Sequence, residues 1–149
     1  MSPFVTCGAG FLLAVLWMDL MFDVQVLRDH EDPLPERTLA SIAAYYARVT
    51  TAARPMNRLI ASVMLATTAA AVVEIAEARH PTWVAWASLI LLLVPVALAG
   101  GRIVPAAVRL GTRSDPPQRQ SAIARSICRE HIICACSVAL LIIVQLAFS

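Results

Sequence analysis

The chain has no lysine and little charge of either sign. Only 15% of its 149 residues are charged, and its twelve strongly basic side chains are all arginine. A soluble globular domain carries roughly 25% charged residues. This scarcity excludes an ordinary soluble domain, and the hydrophobic fraction of 59% indicates a chain that is surrounded by lipid.

The first apolar run also lacks the marks of a removable signal peptide. No basic residue precedes it, and no small-residue cleavage site follows it. A signal peptide needs both features. We therefore expect this run to remain in the protein as a membrane span.

Four apolar runs are long enough to cross a bilayer, which takes about 20 residues. We predict spans at about 4–27, 59–78, 83–100 and 129–148, joined on one side by helical connections at 32–57 and 101–128. Asp32, Thr82 and Asp115 are expected to cap helices. The predicted fold is an all-α integral membrane four-helix bundle, a single domain over 1–149, with cytoplasmic amphipathic helical extensions.

The arginines predict the orientation of this bundle. Five lie between the first two runs and six between the last two, whereas only Arg79 lies between the second and third. The positive-inside rule places the arginine-rich connections in the cytoplasm. Both termini are then expected outside. The arginines lie where topology alone would place them, so nucleic acid is not an expected partner.

Two aspartates, Asp19 and Asp23, lie inside the first apolar run. Each opposes membrane insertion by about 2.5 to 3.5 kcal/mol near a helix centre. On a continuous helix they stand about 40° apart, and His30 falls between them in angle. Two carboxylates one turn apart resist ionising together, so the pair suits proton transfer or metal binding. Alternatively, each aspartate pairs with an arginine of a neighbouring helix.

The last run begins with Arg129, Glu130 and His131, at a depth that overlaps the two aspartates. A histidine in an apolar stretch is costly unless it is paired or ligating. We therefore predict Asp19, Asp23 and His131 as catalytic groups, with Arg129 as charge stabiliser. The same three residues are the predicted metal ligands. A hydrogen-bonded structural histidine is the alternative for His131.

A supporting polar layer is predicted at the same depth. Its members come from the start of the second span, the end of the third and the start of the fourth: Asn57, Arg58, Arg102 and Glu130. Glu74 lies too near the outer surface to join it. That residue is expected to pair with Arg79 or to line an outward opening.

The stretch 17–22, His30, the amphipathic helix with Tyr45 and Tyr46, and the stretch 129–131 resemble a group of small four-helix bacterial membrane proteins. The group includes anthrone oxygenase-like proteins and the haem-binding, four-helix protoporphyrinogen oxidase type. In the haem-binding type a histidine at the end of the first span is an axial ligand, a role that the resemblance assigns to His30. With His131, it is the predicted cofactor-binding pair, and haem and a metal ion are the cofactors considered. The resemblance implies a bacterial inner (plasma) membrane.

Three functions follow from these features. The leading one is a small membrane-embedded redox enzyme or cofactor-binding protein that acts on an apolar small molecule entering from the lipid. The second is an accessory or assembly subunit of a larger membrane complex, with other membrane subunits or a second copy as partners. The third is a proton-coupled small transporter, although the one-sided arginine distribution is unlike transporters that insert in both orientations.

Overall fold

Helices make up the architecture of the computed structural model, which describes residues 3–52, 54–77 and 81–148. Within these ranges the chain forms no strand. In chain order the helices are α1 (Pro3–Asp23), α2 (Gln25–Arg28), α3 (Glu36–Ala47), α4 (Arg54–Glu77), α5 (Thr82–Leu98), α6 (Val104–Thr112) and α7 (Pro117–Phe148). Short π-helical segments, Arg48–Ala52 and Ala99–Ile103, follow α3 and α5.

Four helical stretches are long and apolar enough to cross a membrane: Pro3–Asp23, Pro55–Glu77, Thr82–Thr112 and Pro117–Phe148. The prediction of an all-helical protein with four membrane-spanning helices is confirmed. The third stretch contains α5 and α6 as one continuous helical rod. The fourth, at 32 residues, is about 48 Å long and exceeds the roughly 30 Å of bilayer hydrocarbon. One end of α7 therefore projects beyond the lipid.

The membrane-spanning helices pack in the order α1, α4, α5, α7 around the bundle. α1 and α5 each contact both α4 and α7. Their shared core contains Val5, Ala9 and Leu12 of α1, Ala71 of α4, Leu92 of α5, and Val138 and Leu141 of α7. Spans that follow one another along the chain are thus neighbours in space, and α7 closes the bundle against α1.

A second core lies at the end of the bundle where the long connections run. α3 packs against α6 and the first half of α7, and Leu39, Ile42 and Tyr46 are buried between them. These side chains recur at three- and four-residue steps, so they share one face of α3. We call α3, α6 and residues 117–131 of α7 the helical cap.

The first helix is shorter than its apolar run suggests. α1 ends at Asp23, Val24 forms a turn, and the four-residue α2 ends at Arg28, after which the backbone of Asp29 is extended. The expectation that one helix face carries Asp19, Asp23 and His30 is therefore wrong. No proline or glycine lies at the break, so the sequence gives no warning of it.

The expected helix caps are also wrong. α3 is preceded by Pro35 and α5 by Pro81, and neither helix has a side-chain cap. A residue before proline is disfavoured in helical conformation, so Leu34 delays the start of α3 beyond Asp32. The carboxylate of Asp115 instead pairs with Arg109 at 2.7 Å.

Candidate functional site

Asp23, the last residue of α1, joins three helices through its carboxylate. It is only 1% exposed. Its Oδ1 accepts a hydrogen bond from Tyr46 Oη of α3 at 2.6 Å, and its Oδ2 lies 2.5 Å from Nδ1 of His131 on α7. Both carboxylate oxygens therefore have protein partners, and the side chain connects the bundle to the helical cap.

Asp19 lies one turn earlier on the same face of α1, beside the same cap. Its Oδ1 accepts a hydrogen bond from Tyr45 Oη at 2.5 Å, and its Oδ2 is 4.0 Å from Nε2 of His131. The Asp19 side chain is 19% exposed, in contrast to that of Asp23. We call Asp19, Asp23, Tyr45, Tyr46 and His131 the aspartate cluster.

The two tyrosines of the cluster belong to α3 and therefore to the helical cap. Their rings lie 5.3 Å apart at an angle of 68°, and the ring of Tyr45 also stacks on Phe22, with the centroids 4.0 Å apart. Burial raises the pKa of both phenols, and the nearby carboxylates raise it further. Both phenols therefore stay protonated and act as hydrogen-bond donors.

The donor role of these tyrosines was missed by sequence reasoning. Both tyrosines enter the sequence analysis only through a resemblance. A buried tyrosine hydroxyl needs a hydrogen-bond partner. Two adjacent tyrosines on an amphipathic helix that follows an aspartate-bearing span were the available signal.

Two of the predicted site residues lie apart from this cluster. His30 is exposed in the segment after α2, because the chain leaves helical conformation at Asp29, whose backbone is extended. Arg129 is exposed on α7, since it stands two residues and about 200° before His131 around the helix. The structure therefore brings together Asp19, Asp23 and His131, without Arg129 or His30.

The predicted polar layer is divided in a similar way. Glu130 is buried, and its carboxylate lies 2.9 Å from Nε of Arg102 and 3.1 Å from Oγ of Ser126. Asn57 is exposed and donates a weak hydrogen bond to the backbone oxygen of Thr50 at 3.3 Å. Arg58 is also exposed. Arg102 and Glu130 thus form a pair beside the position of His131 in α7, without Asn57 or Arg58.

No ready-made metal or haem site is found in the part of the chain that the structure describes, where no group of three or more His, Cys, Asp and Glu side chains is arranged to hold a metal. His131 is 5% exposed, which leaves no open face for a ring as large as haem, and His30 lies in a separate, exposed segment.

A second buried polar group lies toward the opposite end of the bundle. Nε2 of Gln145 on α7 donates to Glu74 Oε2 on α4 and to Ser88 Oγ on α5, both at 2.9 Å. We call these three residues the outer cluster. The predicted partner of Glu74, Arg79, falls outside the described residues.

Comparison with known proteins identifies the family. The family model for SHR3 chaperones, described as ER membrane protein SH3, matches residues 2–147. No curated protein and no solved structure matches the chain significantly.

The family match corrects two of the expectations. The resemblance to anthrone oxygenase-like and haem-binding protoporphyrinogen oxidase-like proteins is wrong, and so is the leading redox or cofactor-binding function. The bacterial assignment finds no support in the match. The aromatic and acidic residues that suggested the resemblance form hydrogen bonds that hold the fold together. The assembly role, kept as an alternative, agrees better with the match. The chain is an integral membrane protein and belongs to the SHR3 chaperone family.

Proposed function

We propose that this protein is a chaperone of the endoplasmic reticulum membrane that binds newly made polytopic membrane proteins. Amino acid permeases are the cargo class that its family suggests. The observation that carries the proposal is the family match over residues 2–147. On this proposal the aspartate cluster has a structural role: its hydrogen bonds connect the bundle to the helical cap. Asp23 and His131, at 1% and 5% exposure, are too enclosed to meet a substrate.

The outer face of α4 is the best candidate for contact with cargo. Of the four membrane-spanning stretches, α4 has the smallest buried share, 17% against 22% to 39% for the others. Its exposed side includes the small residues Ala61, Ser62, Ala66 and Ala69. Small side chains let two helices approach closely in lipid, where apolar character alone does not favour a helix over a lipid chain.

Site-specific photocrosslinking tests this proposal. A photoreactive amino acid at Ala66 should yield an adduct with an amino acid permease synthesised in the same microsomes. The matched control is Ala14, an equally small and exposed residue on α1, which should yield none. Absence of a permease adduct at both positions, together with normal delivery of permeases in cells that lack the protein, would refute the chaperone role.

We also propose that the helical cap faces the cytosol and that both ends of the chain face the lumen. The support is the arginine distribution, with eleven of twelve on the cap side. The test is a Ser114→Cys variant in which the two exposed native cysteines, Cys7 and Cys136, are replaced by serine. A membrane-impermeant maleimide should label it in sealed microsomes without detergent. Labelling only after permeabilisation would reverse the orientation.

A further inference from the structure

An open groove of about 440 Å³ runs along the cap, between the rod of α5 and α6 and the first half of α7. Its floor is apolar and contains Pro105, Ala106 and Ile123. Three arginines line its sides: Arg102 and Arg109 from one helix, and Arg119 from the other. The groove lies outside both the aspartate cluster and the outer cluster. Its arginine side chains are 47% to 63% exposed.

The groove carries an excess of positive charge. Arg102 pairs with Glu130 at 2.9 Å, and Asp115 is shared between Arg109 at 2.7 Å and Arg119 at 3.6 Å. Two carboxylates thus face three guanidinium groups. Each guanidinium has five N–H donors, so these ion pairs leave several donors directed at solvent. Such a surface suits a ligand with more than one anionic group.

The depth of the arginines indicates which ligand fits. Arg102 lies where the rod leaves the predicted span, and Arg109 lies about 10 Å further along the helix. Because Asp115 bridges Arg109 and Arg119, those two lie at the same level. The lipid headgroup layer is about 5 to 8 Å thick on each side. An ordinary phosphodiester therefore reaches Arg102 only, whereas a headgroup with an additional outer phosphate also reaches the distal pair.

We propose that this groove binds the headgroup of a phosphoinositide. The phosphodiester lies near Arg102, the outer phosphate near Arg109 and Arg119, and the inositol ring on the apolar floor. Basic pockets beside membrane helices on the cytosolic side are suited to such headgroups. The inference rests on the proposed cytosolic orientation of the cap and does not depend on which cargo the protein binds.

Native mass spectrometry of the protein released from nanodiscs tests the proposal. The nanodiscs contain phosphatidylcholine with a small fraction of either phosphatidylinositol 4-phosphate or phosphatidylserine. The wild type should retain the phosphoinositide in preference to phosphatidylserine. The double variant Arg109→Gln/Arg119→Gln should lose at least about tenfold in retention. The control, Arg37→Gln/Arg48→Gln, removes the same charge from exposed positions outside the groove and should retain the lipid as the wild type does.

A second variant and two competitors make the result decisive. Ala122→Leu fills the groove from an exposed lining position without changing charge, and it should also reduce retention, which separates the contribution of the groove's shape from that of its charge. Equal losses in the groove and control double variants would overturn the proposal, since they indicate unspecific attraction. Tighter binding of a soluble inositol phosphate or of an acidic peptide to the same arginines would overturn it as well.

Discussion

Replacing Tyr46 by phenylalanine removes one oxygen from the aspartate cluster and leaves the aromatic ring in place. That oxygen donates to Asp23 Oδ1 at 2.6 Å. Leaving a buried hydrogen-bond acceptor without its donor costs about 1 to 3 kcal/mol. Asp23 is 1% exposed, so water cannot easily replace the phenol. We expect Tyr46→Phe to lower the free energy of unfolding by about 2 to 3 kcal/mol.

Tyr45→Phe is the matched control, because it makes the same change at the adjacent residue. Its acceptor, Asp19, has a side chain that is 19% exposed, so water can take the place of the lost donor. We expect a smaller loss, of about 0.5 to 1.5 kcal/mol. Unfolding by sodium dodecyl sulfate in mixed micelles, followed by circular dichroism, measures both variants. Equal losses, or no loss for Tyr46→Phe, would refute the argument from burial.

A double-mutant cycle with Asp23→Asn isolates the interaction itself. If phenol and carboxylate are coupled, the double variant should lose less stability than the sum of the single losses, by about 1 to 3 kcal/mol. Burial raises the pKa of Tyr46. The stability contributed by such a phenol is fully present below its ordinary pKa and is lost only as pH rises through the raised value. The phenol therefore remains a hydrogen-bond donor at the pH of the assay, and strict additivity of the two losses would contradict the coupling.

Two further predictions concern the helical cap. An added Cβ at Gly111 would lie 2.8 Å from a backbone nitrogen of α3. Gly111→Ala should therefore lower the free energy of unfolding by about 1 to 3 kcal/mol in the same assay. Gly10→Ala is the control, because its Cβ meets nothing within 4 Å, and it should cause no loss. The hydrogen bonds from Arg113 lower the pKa of Glu36, so the stability from this pair is present above the ordinary pKa and is lost as pH falls through the lowered one. The stability difference between wild type and Glu36→Gln should accordingly shrink between about pH 5 and pH 3, and a constant difference would contradict the pairing.

The membrane fold was predictable because lipid leaves the chain few choices. Backbone groups in hydrocarbon must bond within their own segment, so long apolar runs become helices. The cap could be anticipated from the spacing of Leu39, Ile42 and Tyr46 on one helix face. The residue at which α1 ends could not be anticipated in this way. The break at Val24 involves neither glycine nor proline, and it depends on how the chain turns toward the cap.

The residues that form the aspartate cluster were harder to predict from the sequence. Depth along the bilayer brings Asp23 and His131 to the same level, and depth can be read from sequence. The phenol of Tyr46 reaches Asp23 only because α3 folds back over the end of the bundle. This is a long-range contact that no local periodicity specifies. The same fold-back leaves His30 in the exposed segment between α2 and α3.

The two polar clusters are relevant to the proposed chaperone function. In lipid, apolar packing barely distinguishes a neighbouring helix from an acyl chain, so polar bonds carry much of the specificity between helices. The aspartate cluster connects α1 and α7 to the cap, and the outer cluster connects α4, α5 and α7 at the other end. The hydrogen bonds of these two clusters therefore connect all four spans to one another inside the bundle. On the proposed function, the outer face of α4 can exchange lipid for a cargo helix without loosening the bundle.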